Sequence, residues 1–107
     1  MSDARFGLVA SDGFEWDANK SDSNLAKHGI ALAEASEAFE EPVVVRKSNR
    51  SNEERWIAVG RTHGRMVTVV FTIRGRMIRI ISARHPRPDE KRAYGNASMG
   101  RTTPGQN

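Results

Sequence analysis

Arg55-Trp56-Ile57-Ala58-Val59-Gly60-Arg61-Thr62-His63-Gly64-Arg65-Met66-Val67-Thr68-Val69-Val70-Phe71-Thr72-Ile73-Arg74-Gly75-Arg76-Met77-Ile78-Arg79-Ile80-Ile81-Ser82-Ala83-Arg84 decides the fold. Three runs rich in β-branched residues, Arg55–Arg61, Arg65–Ile73 and Arg76–Arg84, are separated by Thr62-His63-Gly64 and Arg74-Gly75. Glycine in so short a connection signals a hairpin. The stretch therefore reads as an antiparallel meander. A two-residue turn at Arg74-Gly75 sets Ile73 against Arg76, Phe71 against Ile78 and Val69 against Ile80. One face is then Val67, Val69, Phe71, Ile73, Ile78 and Ile80, a core face. The other is Thr68, Val70, Thr72, Met77, Arg79 and Ile81, with Arg79 opposite Val70.

The first hairpin admits two registers. A three-residue loop pairs Arg61 with Arg65 and sets Trp56 opposite Val70, in one row with Arg79 on the open face. There Trp56 can stack on a base while Arg79 holds a phosphate. A two-residue turn at His63-Gly64 flips every side chain of that strand, burying Trp56 and bringing Arg61 to Arg79's face. The three-residue loop is preferred because it buries Ile57 and Val59.

Upstream, the period changes. Phe14–Trp16 reads as a short strand, and Asp17 as an N-cap whose carboxylate accepts the free amide protons of the first helical turn. A helix Ala18–Lys27 ends at His28-Gly29, where glycine suits a left-handed C-cap. A second helix, Leu32–Glu40, carries Leu32, Ala35 and Phe39 on one side and stops at Pro42. Val43–Val45 is a further strand, Lys47–Asn52 a polar loop, and Asp89–Tyr94 a short terminal helix. The expected fold is α+β: two N-terminal helices packed on an antiparallel β-meander, then a short C-terminal helix. Residues 1–12 read as a flexible start, 13–94 as one domain and 95–107 as a disordered tail.

The 107 residues suffice for one core without staples, and the absence of cysteine excludes disulfides and thiolate chemistry. No apolar run approaches the roughly 20 residues needed to span a bilayer, and Met1–Arg5 lacks a signal-peptide pattern. A cytoplasmic protein is expected. Charge is segregated: residues 1–41 hold three Lys and Arg against nine acids, a balance of −6, and residues 42–107 hold fourteen against four, +10. The basic half suggests a polyanionic ligand, although mutual neutralisation of the halves accounts for part of it.

Phe14-Glu15-Trp16-Asp17, Asn19-Lys20, Asn24, Lys27-His28-Gly29, Glu34-Ala35, Phe39 and Pro42 stand in a familiar order. So do Glu54-Arg55-Trp56-Ile57-Ala58-Val59-Gly60-Arg61 and Arg79-Ile80-Ile81-Ser82-Ala83-Arg84, with Glu90 and Tyr94 after them. The ordered set, over residues 14–94, resembles the BrnT toxins of type II toxin–antitoxin systems. The resemblance implies a compact relative of the RelE ribonuclease fold and an RNA-cleaving toxin that arrests growth when free. It also implies a BrnA-type ribbon-helix-helix antitoxin as partner, with promoter DNA contacted only through that antitoxin.

Cleavage of RNA without metal needs a base for the ribose 2′-OH, an acid for the leaving oxygen and stabilisation of the pentavalent phosphate. No cofactor is expected, and no metal: His28, His63 and His85 lie at turns or element ends without carboxylates at ligand spacing. Arg79 is the first candidate, because a charge amid Val70, Met77 and Ile81 is costly without a partner or solvent; an ion pair with a carboxylate of the first half also accounts for it. Arg61 and Glu54 are the other catalytic candidates, each equally well explained by solvation or a surface ion pair. Lys27, Trp56, Arg76 and Arg84 are candidate RNA contacts, Arg84 having a structural role as the alternative. Lys20 with Lys27 can line an RNA groove or form a solvated helix face. His28 can transfer protons but suits helix capping better. A non-catalytic basic module or co-repressor, acting only with a DNA-binding partner, is the second functional reading.

Overall fold

A computed structural model describes residues 4–48 and 54–102. The elements run β1 (Arg5–Gly7), β2 (Gly13–Glu15), α1 (Ala18–His28), α2 (Leu32–Ser36), a 3-10 turn (Glu37–Glu40), β3 (Val43–Ser48), β4 (Arg55–Thr62), β5 (Arg65–Arg74), β6 (Met77–Arg84) and α3 (Pro88–Thr102). The fold is α+β, and the described residues form three helices and one sheet of order β1-β3-β4-β5-β6-β2. The meander is its centre, but the sheet is larger. Residues 5–7, expected to belong to a flexible start, form an antiparallel edge strand on β3, and β2 joins β6 in parallel. Of the expected polar loop, Lys47 and Ser48 extend β3, and 49–52 lie outside the described residues.

α1 and α2 lie against β6, and the 3-10 turn against β4. They enclose the main core of Ile30, Leu32, Phe39, Val67, Val69, Phe71, Ile78 and Ile80. α1 begins as its sequence dictates: the Asp17 carboxylate accepts from the N–H groups of Asn19 and Lys20. It ends at Gly29, φ 73°, whose N–H reaches the Leu25 carbonyl. The buried Asn24 then fixes the helix to the sheet. Its side chain donates to the carbonyls of Ile30 and Ala83 and accepts from the Ala83 N–H, so one amide serves backbone groups that a further strand would have paired.

The preferred register of the first hairpin is overturned. Thr62 pairs with Arg65 and Trp56 with Phe71, because His63 and Gly64 both take positive φ, 50° and 79°. Two such residues make the two-residue turn whose twist matches the strands. Trp56 accordingly packs on the helix-covered core and not on the open face. Burying Ile57 and Val59 did not require the other register. α3 and β1 cover that side, with Val44, Val59 and Tyr94 in a second cluster flanked by Phe6, Met66 and Ala97. α3 is correspondingly longer than the helix expected over 89–94 and includes residues 95–102, expected to be tail.

The second turn is centred on Gly75 and Arg76, with Arg74 opposite Met77 and Ile73 opposite Ile78. The two-residue shift keeps the expected faces but sets Arg79 opposite Thr72, not Val70. Val70 pairs with Ser82 and Phe71 with Ile80, so Ile81 is the extra residue of a β-bulge. A bulge re-aims the side chains beyond it, returning Ala83 to the core and Arg84 to the α3 side.

Candidate functional site

Alternation along the strands places Ser48, Arg55, Thr72, Arg79 and Glu15 in one row across the sheet face opposite α1 and α2. α3 lies against β3 and β4 and covers the other end of that face. Arg79 Nη1 stands 3.4 Å from Glu15 Oε2, and both side chains remain about one-third exposed. A carboxylate of the first half does pair with Arg79. The contact is long, single and solvated, so it stabilises little and is open to displacement by a phosphate.

Arg84 is held differently. Its Nη1 and Nη2 donate to the two oxygens of Glu90 at 2.8 and 3.0 Å, a fork geometry. Glu90, 3% exposed, also accepts from Thr68 Oγ1, from Arg46 Nη2 and from the Arg87 N–H. The last contact is half of a capping box at the start of α3. Burial raises the Glu90 pKa. The hydrogen bonds from Arg84, Arg87 and Thr68, with the Arg84 charge, outweigh it and lower the pKa from an ordinary 4.5 to about 2. Arg84 thus fastens α3 to the sheet, the structural alternative to an RNA contact. The central part of Glu90 was not visible in sequence beyond its place in the family pattern. An acid two residues after Arg-Pro, at the third position of a helix, is the local signal that would have found the cap.

The remaining candidates are dispersed. Glu54 is exposed and pairs with Lys47 at 3.2 Å. Both alternate with Trp56 onto the helix side of the sheet, so Glu54 is not brought to Arg79. Arg61 pairs across the ladder with Met66, at the end of β4 remote from Arg55 and Thr72, and donates to the Gly64 carbonyl at 3.5 Å. Arg76, at the turn, is 3.6 Å from Asp12 and largely exposed. Lys27 opens into a groove between α1 and β6, with Lys20, His28 and Ser82. His28 was expected to cap the helix; the Gly29 N–H closes it instead. Among the described residues no three histidine, aspartate or glutamate side chains converge on a cation site, and no helix is long and apolar enough to cross a membrane.

A family model described as the ribonuclease toxin BrnT of type II toxin–antitoxin systems matches residues 16–90, more than two thirds of the chain. No curated protein matches the chain. The matched span opens on Trp16 and closes on Glu90, and so includes α1, the whole meander and the clamp that docks α3.

Proposed function

Since the chain belongs to the BrnT family of ribonuclease toxins of type II toxin–antitoxin systems, we propose that it is an endoribonuclease whose catalytic centre lies at Arg79, on the sheet end that α3 leaves open. The observation that carries this is the solvated Arg79–Glu15 pair, in contrast to Arg84, whose guanidinium is consumed by a buried carboxylate. In this reading the 2′-oxygen of the RNA attacks the adjacent phosphorus, the P–O5′ bond breaks, and the Arg79 guanidinium stabilises the charge gathered on the phosphoryl oxygens. Glu15, in place of Glu54, is the carboxylate beside the reacting phosphate and accepts the 2′-OH proton, and water protonates the departing 5′-oxygen. Chemistry on the chain's own side chains requires no metal. Arg76 and Lys27 contribute to holding the strand, and Arg84 acts by positioning α3. Trp56 and Arg61 have no part in this centre.

The same reading includes a cytoplasmic setting, a RelE-like ancestry of the fold, and a BrnA-like ribbon-helix-helix antitoxin that brings the complex to promoter DNA. Antitoxin binding at the open sheet end would inhibit by occlusion.

The test is cleavage of an unstructured RNA by purified variants. Arg79→Ala is expected to lose about 10²- to 10³-fold in rate, the usual effect of deleting one donor that stabilises a developing oxyanion, and to relieve growth arrest while still binding antitoxin. Glu15→Gln should also lose activity, and Glu54→Gln should retain it. A folded Arg79→Ala protein with full activity would remove the claim. Wild-type protein that binds RNA and leaves it intact would support the non-catalytic alternative instead.

A further inference from the structure

The groove between α1 and β6 contains an arrangement that the centre at Arg79 does not use. Lys20, Ser23, Asn24, Lys27 and His28 fall at helical spacing on one side of α1, and Ser82 faces them across the groove. Asn24 cannot rotate away, because three hydrogen bonds tie it to Ala83 and Ile30. The helix is thereby locked with its two lysines beside the sheet edge. Arg46, Lys47, Arg65, Arg76, Arg79 and Arg84 all have carboxylate partners. Lys20, Lys27 and His28 have none among the described residues.

Folding explains Lys27, since a cation in the last turn of a helix complements its dipole. Folding does not explain Lys20. It occupies the third position of α1, where an acid would be favoured, and the first turn contains no acid. A cation kept at the positive end of a helix, in a groove with a second lysine, is arranged for an anion from outside.

We infer that this groove is a subsite for the sugar-phosphate backbone of a single RNA strand, with Lys20 and Lys27 on phosphates and His28 and Ser82 donating to phosphate or ribose oxygens. The inference rests on the RNA-cleaving role proposed above. RNA suits the groove because Ser82 lies three residues beyond Arg79 on β6, roughly 10 Å of strand. One backbone can therefore run from the groove to the reacting phosphate. The Ser82 hydroxyl among the cations also matches a chain of phosphates and sugars.

The experiment measures binding of an unstructured mixed-sequence oligoribonucleotide over a range of salt concentrations, in an Arg79→Ala background so that the probe survives. Both lysines are exposed, so Lys20→Ala/Lys27→Ala leaves the fold intact. The plot of log affinity against log salt should flatten by roughly 1.4, two phosphate contacts at about 0.7 each for single strands. Lys91→Ala/Arg92→Ala, which removes equal charge from the exposed side of α3, should leave the slope unchanged. Equal flattening in both double variants means a diffuse field and overturns the subsite. An unchanged slope with lost antitoxin affinity assigns the groove to the partner protein and overturns it as well. If the slope is unchanged and the native chain still cuts RNA, the inference falls and the proposed activity stands; if the native chain neither binds nor cuts RNA, both fall.

Discussion

Glu90 accepts from Arg84, Thr68, Arg46 and the Arg87 backbone, and that gives its carboxylate a thermodynamic signature. Its pKa is about 2 in the fold against an ordinary 4.5. A carboxyl whose folded pKa is depressed contributes stability above the ordinary value, and loses it as pH falls through the folded one. The displacement corresponds to about 3 kcal/mol at neutral pH, an order of magnitude for so enclosed a group. Thermal unfolding should therefore show a Tm falling steeply between pH 4.5 and 2. Glu90→Gln should be less stable than the native chain at pH 7, because Arg84 and Arg46 lose their countercharge. It should also flatten the acid limb, so that the two proteins converge near pH 2. Parallel pH profiles would show that Glu90 is not the linked group. Arg79 offers the contrast at the same scale. Its partner Glu15 is solvated, so removing that pair should move stability little and activity much.

At the scale of the elements, Gly60 shows what a strand position owes to its neighbours. A β-carbon there would stand 2.7 Å from Val43 Cγ1, beside Ala38 of the 3-10 turn. Valine has no flexible end to withdraw, so β3 or the turn must shift. Gly60→Ala should cost about 1–3 kcal/mol, as overpacking does, and Val43→Ala in the same chain should restore part of it; urea unfolding of the two single variants and the double would decide. Strict additivity would place the strain elsewhere. Gly60 also marks how far periodicity reaches. Alternation identified all three meander strands and put Val67, Val69, Phe71, Ile78 and Ile80 on the buried face, but Ile73, assigned to the same face, is 46% exposed, and Ala83 reaches the core only through the bulge. It failed where a single rule was not enough. The preference for a three-residue loop at Gly64 assumed one buried face, whereas α3 and β1 bury Val59 on the other. Nothing in the apolar pattern of Pro88–Thr102, which contains two glycines, announces a helix that long; its hold on the sheet through Glu90 and Tyr94 is tertiary. The Ile81 bulge was likewise hidden, since a bulge changes pairing without changing composition. Of the candidate residues, Arg79 was readable as a charge amid apolar neighbours and Lys27 only as part of a helix face, and that Glu15 and not Glu54 lies beside Arg79 could not be seen before β2 was known to pair with β6.

For the molecule as a whole, the charge split resolves into contacts between its halves. Asp12, Glu15 and Glu34 pair with Arg76, Arg79 and Arg65, so acids of the first 41 residues neutralise cations of the second half. The surfaces proposed above for RNA are local, the groove of α1 and the open end of the sheet. The layers beneath these surfaces are unequal. Among the described residues, thirteen buried ones form the core under α1 and α2 and three the one under α3, so the α3 side should open first and alone. Tyr94 is the largest buried side chain of that smaller cluster and meets Phe6 edge to face, 6.2 Å between centroids. Removing a buried aromatic costs about 3–5 kcal/mol, and a loss of about 3 kcal/mol corresponds to roughly a hundredfold faster exchange of amides that open locally. Native-state hydrogen exchange of Tyr94→Ala should thus accelerate the amides of α3 and β1 and spare those of β5 and β6. Equal acceleration across the sheet would mean that the two cores unfold as one unit. If α3 opens independently, Arg46 and Arg84 become available on the same face as Arg79, and in the proposed reading they would add to the charge that faces RNA.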